Sequence, residues 1–295
     1  MSTKPLHAVA DSIKHTAKVY SYPCGLVDIV ASSSADFGPP GWEASEDYAH
    51  PKKVPAGHRS DDGPKEERRP GATLEDIERS MRRARAKLRR LALANDFKYF
   101  VTLTLDPSKV DSHDGAAVVK KLNAWCSNMV QREGLKYILV PERHKKGGIH
   151  FHGFFNDALP VEDSGLLRLP WSKRPRRPKN QSERQEWLKA GGRIVYNLPR
   201  WSLGFTTALD LYGSYPAAVA YVCKYIGKDG EKPAGRWYYS GGDLAEPAVS
   251  YGEIDPRELQ EDYGSKCWAG YVPGRMIAVV NGIEVHEQVQ GGYNE

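Results

Sequence analysis

The spacing of apolar positions changes several times along the chain, and each change marks an element. Over residues 73–95, Leu74, Ile77, Met81, Ala84 and Leu88 recur at helical spacing, and Thr73 can cap the start with Asp76 three residues on. The spacing predicts a helix. Its other faces carry Arg79, Arg82, Arg83, Arg85, Lys87, Arg89 and Arg90, a run that suits either a solvated surface or contact with phosphates. Residues 97–105 switch to near-alternation of aromatic and β-branched side chains and stop at Asp106-Pro107, which predicts a strand. Helical spacing returns over 115–133 through Val118, Leu122, Trp125, Met129 and Val130. Two short apolar runs, 135–140 and 148–155, flank the polar turn Arg143-His144-Lys145-Lys146-Gly147 and predict a β-hairpin. Residues 217–228 read as a helix opened by Pro216 and closing near Gly227. Asn281-Gly282 between β-branched runs predicts a tight hairpin close to the C-terminal end.

The intervening stretches have other compositions. Residues 1–72 are rich in Pro, Gly, Ser and charge, as an extended or partly disordered arm would be. Residues 169–180 contain three prolines and five basic residues, among them Lys173, Arg174, Arg176 and Arg177. Proline forbids a regular helix there, so the cations sit on extended backbone, where they can hold a nucleic-acid strand.

At 295 residues the chain can bury a self-sufficient core. No run approaches the 18 or so apolar residues of a membrane span, and no apolar signal core follows the N-terminus, so a cytoplasmic protein is expected. The four cysteines, Cys24, Cys126, Cys223 and Cys267, lie far apart, which argues against a zinc knuckle or a disulfide framework. The net charge of +5 is modest, but its clustering favours a polyanionic partner. No Gly-x-x-x-x-Gly-Lys-Ser/Thr loop is present, so no nucleotide cofactor is expected.

Two stretches carry the candidate chemistry. In a strand, His150 and His152 would point the same way, about 7 Å apart along the chain. Folding the turn back would bring Glu142 beside them. One carboxylate and two neutral imidazoles suit Mg²⁺ or Mn²⁺ acting as a Lewis acid on phosphate. His144 is a rival ligand, but its place on the turn suggests that it faces solvent. Tyr221, Lys224, Tyr225 and Lys228 follow helical spacing and share one face, which sets two phenols among two ammonium groups. A free phenol ionises near pH 10, so it becomes a useful nucleophile only where cations stabilise the phenolate. Asp106 is a weaker candidate, better suited to starting a turn.

Three ordered segments, Phe100 to Asp106, Ile149-His150-Phe151-His152-Gly153 and Tyr221-Val222-Cys223-Lys224-Tyr225, resemble the motifs of the HUH endonucleases. More narrowly, they resemble the two-tyrosine rolling-circle replication initiators of phages and related bacterial elements. The resemblance covers about residues 73–245 and leaves 246–295 as an extension with a β-hairpin. It implies an α+β fold with a central antiparallel five-stranded sheet and flanking helices, an HUH/RRM-like palm. It also implies that Glu142, His150 and His152 hold the cation, that Tyr221 or Tyr225 attacks single-stranded origin DNA, and that Lys224 stabilises developing charge. Lys228, Lys173, Arg174, Arg176, Arg177, Arg82 and Arg83 would contact DNA, and a host helicase and polymerase would act with the protein in a bacterial cytoplasm. Two alternatives keep the same residues: a two-tyrosine transposase, and a non-catalytic single-strand binder using Trp171, Tyr196 and Trp201. A cupin-like oxygenase built on His-x-His would want a Glu soon after the pair, where Gly153-Phe154-Phe155-Asn156 stands.

Overall fold

The computed structural model describes residues 16–34, 37, 73–144, 147–211, 215–228, 230–272 and 275–284. In chain order it contains β1 (Ala17–Ser21), β2 (Leu26–Ser32), α1 (Leu74–Leu93), β3 (Tyr99–Leu105), α2 (Gly115–Glu133), β4 (Tyr137–Arg143) and β5 (Ile149–Phe155). Next come β6 (Glu162–Arg168), α3 (Gln181–Lys189), β7 (Arg193–Asn197), β8 (Gly204–Asp210), α4 (Tyr215–Cys223) and β9 (Tyr239–Gly241). The described chain closes with β10 (Ala248–Gly252), α5 (Pro256–Tyr263), β11 (Cys267–Val272) and β12 (Arg275–Glu284). These elements form two compact units, Pro70–Glu246 and a second one composed of Met1–Arg69 with Pro247–Glu295. Among the described residues no helix is long and apolar enough to cross a membrane.

The larger unit is an antiparallel sheet with helices packed on it, as the α+β expectation required. Its sheet has seven strands, in the order β6-β7-β8-β3-β5-β4-β9, where five were expected. The extra strands have weak signals. β6 presents mostly partly exposed or exposed positions, and β9 is three residues long. One sheet face is the main core. Val101, Leu103 and Leu105 of β3 and Phe151 and Phe155 of β5 pack there with Val118, Leu122, Trp125 and Met129 of α2. Each large side chain so buried contributes about 1.5–3 kcal/mol. The helix itself is set by Asp114, whose carboxylate accepts from the amides of Ala116 and Ala117, and by Gly134 at φ 73° at its end.

The opposite face is divided. Around Phe154 it is apolar, with Phe97 stacked on Phe154 at 5.8 Å and Tyr215 of α4 tilted against it at 6.1 Å. Toward His150 and His152 it is polar, and this half carries the site. α1 packs against α4, and its start has the expected capping box between Thr73 and Asp76. The helix expected over 217–228 is shorter than its spacing suggested: α4 ends at Cys223, and Lys224 to Lys228 continue in turns. The cause is local. Gly227 takes φ 76°, and a Cβ there would lie 1.9 Å from Met81 Sδ, while Arg85 donates to the Ile226 carbonyl from Nε (3.1 Å) and Nη2 (2.6 Å).

The second unit corrects two expectations. Within the segment expected to be an arm, β1 and β2 pair as a hairpin; residues 35, 36 and 38–72 of that segment lie outside the described residues. Strand order is β10-β1-β2-β12-β11, with Leu259 of α5 buried among Ala17, Ala31, Ala278 and Val280. Asn281-Gly282 is not a hairpin turn. It is a bulge within β12, where the register to β2 shifts between Val280 and Ile283. Gly282 has φ 72°, and its amide donates to the buried Asp28 carboxylate at 2.7 Å. The C-terminal hairpin joins β11 to β12 instead. The cysteines are free thiols, as expected.

Candidate active site

Register builds the site row by row. Across the larger sheet, Glu142 of β4 stands opposite His150 of β5, which stands opposite Thr104 of β3. One row over, His152 stands opposite Thr102. Paired residues share a face, so two imidazoles, two hydroxyls and one carboxylate converge. Thr104 Oγ1 lies 3.1 Å from His150 Nδ1, and Thr102 Oγ1 lies 3.1 Å from His152 Nδ1. A hydroxyl both donates and accepts, so each threonine can hold its ring in either tautomer. These threonines were not singled out in the sequence, yet their Thr-x-Thr spacing matches His-x-His on an adjacent alternating strand.

Glu142 is the electrostatic centre. Its Oε2 lies 2.7 Å from His152 Nε2, and its Oε1 receives the Lys228 ammonium. Burial opposes its charge, but hydrogen bonds and attraction from His152 and Lys228 outweigh that and bring its pKa down to about 2. Burial, together with the nearby His144 and His152, lowers the pKa of His150 and favours the neutral imidazole that a metal ligand needs. His144 itself is exposed, as expected for a turn residue, but its ring lies 5.0 Å from that of His150.

The donor set of Glu142, His150 and His152 suits a hard divalent cation, and the threonine contacts at both Nδ1 atoms match the outer hydrogen bonds usual for ligating imidazoles. As the side chains stand, no group of three or more His, Cys, Asp or Glu among the described residues is disposed to hold a metal ion. Lys228 takes one carboxylate oxygen, so a cation would have to displace it.

The folded pKa of Glu142 lies below the ordinary value of 4.5. Ionised Glu142 therefore stabilises the fold above pH 4.5, and that contribution is lost as pH falls toward 2. In the presence of chelator, the difference in thermal stability between wild type and Glu142→Gln should be constant near neutrality and shrink between pH 4.5 and 2. A difference that stays constant down to pH 2 would contradict the ion pairs described.

The tyrosines lie beside this cluster. The Tyr225 ring stacks on His152 at 4.3 Å and 11°, and its hydroxyl donates to the Tyr221 hydroxyl at 2.7 Å. Lys228 Nζ lies 5.7 Å from the centre of the Tyr225 ring. Burial first, then the bond to Tyr221 and the negative charges of Tyr221 and Glu142, push the Tyr225 pKa above its ordinary value. Tyr221 is half exposed and meets Phe100 edge-on at 5.9 Å. Lys224 is exposed on the turn after α4. Lys228, expected as a phosphate contact, is instead ion-paired with Glu142. Asp106 accepts from the amide and hydroxyl of Ser108, the turn role expected of it.

A cleft of about 490 Å³ opens from His152, Tyr221 and Tyr225 toward Lys173, with Arg168 and Arg193 also in its wall. Of the expected DNA contacts, Lys173 therefore meets the site. Arg174 and Arg176 are exposed on the same loop, and Arg177 donates to the Ser164 carbonyl at 3.1 Å. Arg82 and Arg83 are exposed on α1, Arg82 3.6 Å from Glu78. Sequence reasoning missed Arg168, Arg193 and the positioning residue Arg85. Only Arg85 lay in a charge run that drew notice.

An antiparallel sheet bearing a histidine pair beside two helix-borne tyrosines is consistent with a Rep-type HUH initiator. Residues 98–230 match the family described as replication-associated protein ORF2, a family of rolling-circle replication initiators, and the match takes in all three motifs. It supports a role in initiating replication. Neither the curated proteins nor the solved structures give a significant match.

Proposed function

We propose that this protein nicks and rejoins single-stranded DNA at a replication origin through a tyrosine nucleophile, and so starts rolling-circle replication. The observation that supports this most is the stacking of Tyr225 on His152 with the Tyr221 hydroxyl 2.7 Å from its own, which sets two phenols beside the candidate cation ligands. Glu142, His150 and His152 would hold Mg²⁺ or Mn²⁺. When bound, the cation polarises a phosphate oxygen.

The chain's own residues account for the remaining requirements. Arg168, Lys173 and Arg193 offset the backbone charge of a strand in the cleft. The phenol oxygen of Tyr221 or Tyr225 forms the new bond to phosphorus as the bond to the departing 3′-oxygen breaks. The products are a 5′-phosphotyrosine and a free 3′-hydroxyl. The second phenol resolves the intermediate by the same exchange, and because the covalent link conserves the energy of the broken bond, rejoining requires no nucleotide. Lys224 and Lys228 are close enough in sequence to stabilise the developing charge. A host helicase and polymerase would open and extend the strand.

The test is incubation of the protein with Mn²⁺ and single-stranded DNA from its own element's origin, followed by a denaturing gel. A covalent protein–DNA band that is lost with chelator is the expected result. Absence of any adduct with the cognate origin would sink the proposal.

A further inference from the structure

Phe205 is a large aromatic side chain that the chemistry above does not use, and it is 69% exposed at the start of β8. Leaving a phenyl ring in water forgoes about 1.5–3 kcal/mol of burial, so an exposed ring held at a site asks for an explanation. Its location is specific. Phe205 stands opposite Thr104 in the β3–β8 register, and Thr104 stands opposite His150 in the β3–β5 register. The ring is therefore on the same sheet face as the two histidines, two strands from His150, about 10 Å at the usual strand spacing.

The backbone that presents it is rigid. Trp201, itself buried, donates from its indole to the Thr104 carbonyl at 3.2 Å, and the Asp106 amide donates to the Leu203 carbonyl at 2.9 Å. Gly204 lies so close to β3 that a Cβ there would be 2.2 Å from the Thr104 carbonyl oxygen. Phe205 thus sits on a fixed strand, not a loose loop. The cleft with Arg168, Lys173 and Arg193 opens from the His152 row, whereas Phe205 belongs to the neighbouring His150 row. Cations suit the phosphates of a strand, and an exposed aromatic face suits its bases.

We infer that Phe205 is a base-stacking platform for a nucleotide flanking the phosphate held at His150 and His152. The inference rests on the reading that single-stranded DNA enters this site. It assigns a division of labour: the cationic cleft binds backbone on one side of the reacting phosphate, and Phe205 binds a base on the other.

Two dye-labelled oligomers of equal length separate the two contributions, oligothymidylate and an abasic deoxyribose-phosphate chain with the same charge. Measured by fluorescence anisotropy on the full-length protein, Phe205→Ala should weaken oligothymidylate binding roughly 5- to 100-fold and leave the abasic chain unaffected. Phe205→Trp should restore binding, and Arg168→Ala should weaken both oligomers. Unchanged oligothymidylate affinity in Phe205→Ala, or an equal loss for both oligomers, overturns the inference. The adduct assay reports independently. Base dependence without any adduct would retire the nicking reaction and keep the platform, whereas an adduct without base dependence would retire the platform alone.

Discussion

The double substitution Tyr221→Phe, Tyr225→Phe is expected to abolish the covalent DNA adduct and lower cleavage of origin DNA by at least about 1,000-fold, the scale on which removal of an enzymatic nucleophile acts. The fold should survive, because the change deletes two hydroxyls that bond to one another and leaves both rings in place. Far-UV circular dichroism and the melting temperature should therefore match wild type. Quantifying the adduct on denaturing gels decides the matter: a band of wild-type intensity from the double variant would show that neither phenol is the nucleophile. Single variants add detail. Tyr221→Phe removes the acceptor of the Tyr225 hydrogen bond from a half-exposed position, whereas Tyr225→Phe removes the donor from a ring stacked on His152.

The second large effect concerns the scaffold. Gly153 follows the histidine pair in β5, and a Cβ built there would lie 1.8 Å from the Ile138 carbonyl oxygen and 3.0 Å from Leu139 Cα. Both are backbone atoms of the paired strand β4, so no side chain can swing aside. Gly153→Ala should push β4 away from β5 at a cost on the order of 3 kcal/mol or more, a large share of the stability of an ordinary domain. Urea melts should show either a strongly lowered midpoint or no cooperative transition. A wild-type midpoint would mean that β4 and β5 do not approach as described. The glycine in the motif thus serves the register that brings Glu142 opposite His150.

Where the hydrophobic period was long and undisturbed, the sequence was easy to read. α2 coincides with its spacing because Asp114 and Gly134 punctuate an amphipathic run, and the β4–β5 hairpin arises from two apolar runs around a polar turn. The departures have identifiable causes. α4 stops short because tertiary contacts, Arg85 on the Ile226 carbonyl and Gly227 against Met81, override the local repeat. Asn281-Gly282 has the composition of a turn, but a buried Asp28 far away in sequence makes it a bulge. β1 and β2 were obscured by the polar, glycine- and proline-rich residues around them. In the site, residue types were visible and pairings were not. Thr102 and Thr104 acquire meaning only once β3 is known to lie beside β5, and the Lys228–Glu142 ion pair spans a separation no local pattern encodes.

The five-stranded sheet of the second unit takes β1 and β2 from before the larger unit and β10, β11 and β12 from after it. On the ribosome, β2 emerges long before β12, the strand with which it must pair. The larger unit, contiguous from Pro70 to Glu246, can fold first, while the early hairpin waits for its partner. Stopping synthesis short of β12 would therefore leave β2 with an open edge near the beginning of the chain, so a truncation at one end is felt at the other.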